Sequence, residues 1–233
     1  MEEKVEIGRF EMDFISYIHM MSTTPNYAVV VVYPVSMDFN ALPAHNMHPI
    51  ETITYMNTST KIVLMDLQDG SVIDGFETDD PKMVFATHII NSWEEDEEVV
   101  FDLATNPWDS MRTGMDLDLL LDHPETNAEV AEFEVKRVRL NINTRAVTME
   151  DWPNESDLPM MNTLDFPSIN PNYMGQKNRY VFGWVSIDWW RMTLVKKDLV
   201  DSTQYKTWCN LIVLLFSFQI LFSGQHQVII LER

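Results

Sequence analysis

Two histidines stand where chemistry could be organised, and four do not. His88 lies in the apolar run from Phe85 to Trp93, ahead of the acidic cluster Glu94, Glu95, Asp96, Glu97 and Glu98. His19 closes the tetrapeptide Ser16-Tyr-Ile-His19, shortly before the β-branched run Tyr27 to Tyr33. Neutral imidazole nitrogens suit Fe(II), and histidines far apart in sequence can meet at one ion if each sits on a strand aimed at a common axis. Neither histidine has a ligand spacing of its own, so on spacing alone each is more often an ordinary core residue. His45, His48, His123 and His226 occupy loop-like contexts and are expected to be solvated. The acidic cluster is expected to form a solvated turn rather than a cation site. Phe85, Trp93, Tyr180, Phe182, Trp184, Trp189 and Trp190 are expected to be core, with the wall of a long apolar cavity as the alternative. The chain has no Gly-rich phosphate loop, no cysteine pair for zinc and no serine nucleophile motif.

The elements that would position these residues are strands. Lys4 to Phe10 alternates like a strand already under way, as an interior piece of a β-protein would. Tyr27 to Tyr33, closed by Pro34, predicts a strand buried on both faces. A hairpin is predicted over residues 60–75 around Gln68-Asp-Gly70, because glycine accepts the positive φ such a turn needs. The next strand enters at Met83 and carries His88 at its end, and a further strand follows from Glu98 to Leu103. Met111, Met115 and Leu119 predict a short helix over 109–122. Alternation then predicts strands over 131–136 and 138–143 with a bulge at Arg137 where the phase changes. An acidic loop is expected over 149–159, and strands over 179–184 and 191–195. Many short strands with little helix mean an all-β sandwich, barrel or propeller. No clean internal repeat is present.

Composition narrows the partners. The 233-residue chain carries 16 Lys and Arg against 36 Asp and Glu, a formal charge of −20, which argues against nucleic-acid phosphate as a partner. The single cysteine, Cys209, rules out an internal disulfide. The N-terminus has neither a basic n-region nor an apolar h-region, so a cytoplasmic location is expected. From Thr207 to Leu231 no charged residue occurs, but Ser, Gln, Gly and His interrupt the apolar run before the length of a membrane helix is reached.

Three separated stretches, in order, resemble the carotenoid cleavage oxygenases. Ser16-Tyr-Ile-His19 is followed by Thr24, Asn26 and Tyr27. His88-x-x-Asn91-x-Trp93 leads into a Val-Phe-Asp strand. Leu164-Asp-Phe-Pro-Ser-Ile-Asn170 is followed by Tyr173, Gly175 and Arg179 to Gly183. The resemblance implies part of a seven-bladed β-propeller over residues 1–208, with 209–233 an apolar tail outside the family pattern. It implies a non-haem Fe(2+) dioxygenase that cleaves a carotenoid or apocarotenoid double bond with O₂ to give retinal-type aldehydes, with room for peripheral membrane contact. By the same resemblance His19 and His88 are two of four iron ligands, and Asp165 is the carboxylate behind one of them. The family has glutamate there. Aspartate is shorter by about 1.5 Å, so a backbone shift or a bridging water is expected. With two of four ligands present, the alternative is an inactive truncated relative that binds a carotenoid, a retinoid or a partner protein.

Overall fold

The structure, a computed structural model, describes residues 5–38, 52–56, 58–78, 85–106, 134–152, 164–188 and 191–213. The described residues form strands, with one 3-10 turn at Pro171–Tyr173. The predicted helix over 109–122, His45, His48, His123, His226, Trp189 and Trp190 lie outside the described residues.

Three antiparallel four-stranded sheets follow one another along the chain, in the manner of propeller blades. Blade one has the order β1 (Ser22–Thr23), β2 (Tyr27–Val32), β5 (Lys61–Asp66), β6 (Val72–Glu77), and a side hairpin of β3 (Val35–Met37) and β4 (Ile53–Tyr55) interrupts it in sequence. Blade two runs β7 (Phe85–Glu95), β8 (Glu98–Asn106), β9 (Glu134–Asn141), β10 (Val147–Asp151), and blade three β11 (Asp165–Ser168), β12 (Tyr180–Asp188), β13 (Arg191–Asp198), β14 (Tyr205–Val213). The first strand of blade two, β7, touches the first strands of both neighbours, β1 and β11. Residues on these three strands therefore converge.

Alternating burial explains the stacking. In β2, Val29 and Val31 face a core shared with Phe85, Ile89, Val99, Phe101 and Leu103 of blade two. Val30 and Val32 point the other way, onto Phe10, Phe14 and Ile18. Each such fully buried side chain contributes roughly 1.5–3 kcal/mol, so both faces of β2 are committed, as its unbroken apolar run predicts. Ile90, Val135 and Trp152 of blade two meet Leu164, Val181, Val185 and Val195 around blade three in a second core.

Several expectations are corrected. Residues 5–12 form no strand; Val5 and Ile7 are 78% and 54% exposed, and Phe10, with Phe14 and Ile18 beyond it, packs on Val30, Val32 and Val63. Gly8 packs so close to the β5–β6 turn that a Cβ there would lie 2.6 Å from the Gly70 carbonyl oxygen. The predicted hairpin turn is present, with Gly70 at φ 73°. His88 sits within β7 rather than at its end. The two strands expected over 131–143 are one strand in its described part, β9, whose pairing with β8 is regular through Arg137, with no bulge. The change of apolar phase has another cause: Val135 serves the second core while Val138 and Leu140 serve the first. The expected loop over 149–159 begins instead with β10, a strand through Asp151. β14 extends to Val213, and the remaining apolar segment lies outside the described residues.

Candidate metal centre

β7 carries two register shifts against β8, one between Ala86 and His88 and one between Ile89 and Asn91. Each leaves one extra residue on β7, and such bulges turn a side chain out of the regular alternation. His88 lies between them, half-buried, with Ile89 in the first core and Ile90 in the second. No bulge lies at Arg137, and those around the histidine were not expected.

The structure brings the three predicted residues together. The His88 and His19 ring centroids are 5.4 Å apart, with the rings nearly perpendicular at 88°. His88 Nδ1 lies 2.5 Å from Asp165 Oδ1 and 3.1 Å from Thr87 Oγ1. The aspartate reaches the ring directly, with nothing between them. It does so from an irregular start to β11, where the register with β12 shifts between Asp165 and Ser168 and Phe166 adopts a φ of 47°. Asp165 Oδ1 also accepts the Phe166 N–H at 2.8 Å. Gly183 makes the approach possible, since a Cβ there would meet Leu164 side-chain carbons at 2.6 Å and the Asp165 carbonyl oxygen at 2.9 Å. His19 is exposed, in the extended segment before β1, and its Nδ1 lies 3.0 Å from the Tyr17 hydroxyl.

The remaining motif residues hold the frame. Asn91 donates through Nδ2 to the carbonyls of Tyr173 at 3.2 Å and Gln176 at 2.7 Å and to Asn178 Oδ1 at 2.7 Å, and accepts from Gly175 N at 3.2 Å. It pins the loop after β11 to β7. Asn26 clamps Glu94 through its backbone N at 3.0 Å and its Nδ2 at 2.8 Å, and Ser92 Oγ donates to Thr23 O at 3.0 Å. The acidic cluster accordingly is not just a solvated turn. Asp96, at φ 52°, and Glu97 form the turn itself, whereas Glu95 joins Lys177 at 2.5 Å and Arg139 at 3.0 Å. The Lys177 ammonium first, and the Arg139 guanidinium after it, hold the Glu95 carboxyl well down, at about 2, against the opposing effect of its burial.

Between blades two and three lies a buried ionic group. Arg137 makes a bidentate contact with Asp102 at 2.8 and 3.0 Å, and Trp152 Nε1 donates to the same carboxylate at 3.0 Å. Burial pushes the Asp102 carboxyl up against these partners. Lys197 of β13 lies over the Trp152 ring at 4.7 Å, and burial brings its ammonium down to about 8 while the Asp102 charge resists.

Phe85 and Trp93 are core, as expected. The aromatic beside the histidines is one that sequence reasoning did not single out: Phe166, 57% exposed, with its ring 5.2 Å from His88 and 5.3 Å from Trp184. Its signal was present only as the second residue of the Asp-Phe-Pro stretch.

Both Nδ1 atoms are occupied by protein groups, which leaves Nε2 of each ring for an ion. Among the described residues no group of three or more His, Cys, Asp or Glu is placed so as to hold a metal ion. The donor set of two imidazoles, one backed by a carboxylate, fits a divalent metal such as Fe(2+).

Blades of this order, with His88 of β7 meeting His19 of the segment before β1, define part of a β-propeller. The chain belongs to the retinal pigment epithelial membrane protein family, whose model matches residues 2–219. It is 27% identical over 205 residues to the carotenoid isomerooxygenase of Galleria mellonella, covering 84% of this chain and 38% of that protein. Over 120 residues it is 30% identical to the carotenoid 9,10(9',10')-cleavage dioxygenase of Crocus sativus, covering 51% and 19%. Among solved structures, a variant of Synechocystis apocarotenoid oxygenase matches with a TM-score of 0.66 at 17% identity, over 84% of this chain and 39% of that one. The chain spans well under half the length of the relatives it matches.

Proposed function

We propose that this chain is part of an iron-dependent oxygenase that cleaves a double bond of a carotenoid or apocarotenoid with O₂, releasing retinal-type aldehydes. The observation that carries the reading is the meeting of His19 and His88 across two blades, with Asp165 on the Nδ1 of His88. In it, His19 and His88 hold Fe(2+) through Nε2. Asp165 accepts a hydrogen bond from the His88 Nδ1–H, which fixes the tautomer and raises the basicity of Nε2. Phe166 and Trp184 supply an apolar wall against which a polyene lies and from which water is excluded. Iron, when bound, supplies the activation of dioxygen.

The test is anaerobic Fe(II) loading of the protein extended at both ends to the length of its relatives, followed by aerobic incubation with β-carotene and an apocarotenoid. Bound iron and aldehyde products are expected; absence of bound iron overturns the reading. A second reading is favoured by the fact that only two imidazoles converge among the described residues: an inactive chain that binds a carotenoid, a retinoid or a partner protein. Retained carotenoid absorbance on iron-free protein supports it. A cytoplasmic location with peripheral membrane contact belongs to the same proposal. The exposed Met20, Met21 and Met174 favour the membrane contact, which liposome flotation tests.

A further inference from the structure

The inner strands on either side of β7 are held only briefly by their own blades. Among the described residues β1 pairs with β2 at Ser22–Val29 and Thr23–Ala28, and β11 with β12 at Asp165–Trp184 and Ser168–Phe182, across a register shift. Ladders this short leave much of the placement to side chains. The end of β7 supplies them, and its successive side chains go to opposite neighbours, as strand alternation requires. Ser92 and Glu94 reach Thr23 and Asn26 of blade one, whereas Asn91 and Glu95 reach the loop after β11. Asn91 is buried. Its two Nδ2 hydrogens serve three acceptors, the Tyr173 and Gln176 carbonyls and Asn178 Oδ1, while its own Oδ1 takes the Gly175 N–H. The loop is braced internally: Pro171–Tyr173 is a 3-10 turn capped by Asn170, and Gln176 N donates to Tyr173 O at 3.0 Å. Gly175 in turn lies against β1. At its φ of 74°, a Cβ would stand 3.3 Å from the Thr23 carbonyl oxygen. One loop, gripped by one amide, thus touches all three inner strands.

We propose that Asn91 is a positioning residue for the centre. Through the loop it fixes β11, which carries Asp165 and Phe166, and through Gly175 it fixes β1, which follows His19. It thereby sets the spacing of both from His88, three residues earlier on its own strand. The proposal deepens the reading of His19, His88 and Asp165 as one site and rests on it. Asn91→Ala takes the donor from buried acceptors and frees the loop, so the rings separate while the first core stays whole.

The experiment follows nuclear Overhauser effects between ring protons in the metal-free chain, since the His88–Phe166 and His19–His88 centroids stand 5.2 and 5.4 Å apart. Asn91→Ala is expected to lose both, while contacts inside the first core, such as Phe101 to Val138, remain. Leu140→Ala, which opens a cavity in the first core, controls for lost stability alone and is expected to keep both ring contacts. Gly175→Ala, strained by its positive φ and pressed on Thr23, is a milder probe, expected to weaken His19–His88 and to keep His88–Phe166. Co(II) titration followed by visible absorption is expected to weaken about tenfold in Asn91→Ala, the lower end of what loosening a group behind a ligand does, and to hold in Leu140→Ala. Ring contacts retained in Asn91→Ala, or lost equally in Leu140→Ala, overturn the proposal. If Asn91→Ala does not fold, Gly175→Ala decides: a weakened His19–His88 contact supports the proposal and an unchanged one overturns it. A wild type that takes up no Co(II) overturns the ligand reading, whereas the ring contacts, read without metal, still decide the role of Asn91. Their absence from the wild type overturns both.

Discussion

The two faces of blade two are built from different materials. Toward blade one the core is apolar and larger: Phe85, Ile89, Val99, Phe101 and Leu103 close on Val29, Val31, Ile62 and Leu64, with the Asn26–Glu94 and Ser92–Thr23 hydrogen bonds beside it. Toward blade three the apolar patch is smaller and is joined by Asp102, Arg137, Trp152 and Lys197, and the groups that orient the centre, Asn91 and the His88–Asp165 pair, reach across to blade three as well. Hydrophobic burial is non-directional and tolerates sliding. Hydrogen bonds and bidentate ion pairs fix position. The apolar side supplies cohesion and the polar side supplies register, and the histidine lies on the strand that separates them.

The sharpest way to break this contrast is Asp102→Ala, which takes from the half-buried Arg137 the carboxylate it grips. Removing one partner of a buried pair costs about 3–5 kcal/mol, so urea unfolding is expected to show a loss of that size. Leu103→Ala on the apolar side is expected to cost about 3 kcal/mol through its cavity, yet to leave the His88 nitrogen shifts where they are. A change in those shifts would erase the distinction between the faces.

Gly183→Ala sits between the two. The new methyl must push on Leu164 and on the Asp165 backbone, an overpacking cost of about 1–3 kcal/mol. Thermal unfolding is expected to fall modestly, whereas the His88 Nδ1 signal moves as Asp165 withdraws. The smallest effect is the acid limb at Glu95. Its carboxyl is held at about 2 in the fold against an ordinary value of 4.5. The unfolded chain therefore binds more protons between those values, and stability falls as pH drops through that window. The pair is partly solvated, and exposed pairs are worth less than about 1 kcal/mol. Glu95→Gln is expected to flatten the stability profile between pH 4.5 and 2 and to change little at pH 7.

What was legible in the sequence was most of the strand inventory; that His19, His88 and Asp165 come together followed from the family resemblance alone. The Tyr27–Tyr33 run, the Asp-Gly turn and the strands after Arg179 follow from periodicity and turn chemistry alone, because local rules dominate there. The bulges of β7 were not legible. Phe85 to Asn91 holds no Gly or Pro to mark a bulge, and the shifts show only in the pairing with β8. The N-terminal alternation misled because Val5 and Ile7 find no neighbouring strand. The phase change at Arg137 was real, but its cause was a strand serving two cores, which only the packing of three blades reveals. That Asp165 and His88, 77 positions apart, touch was suggested by the family pattern and by nothing in spacing.

The most direct test of the central claim is Fe(II) binding under anaerobic conditions, by equilibrium dialysis and metal analysis, for the chain, for His19→Ala, for His88→Ala and for the double variant. The account predicts that the chain takes up iron, that each single variant binds it markedly more weakly, and that the double variant binds none. Equal iron on the wild type and the double variant would contradict a metal centre at the meeting point of β7 and the His19 segment.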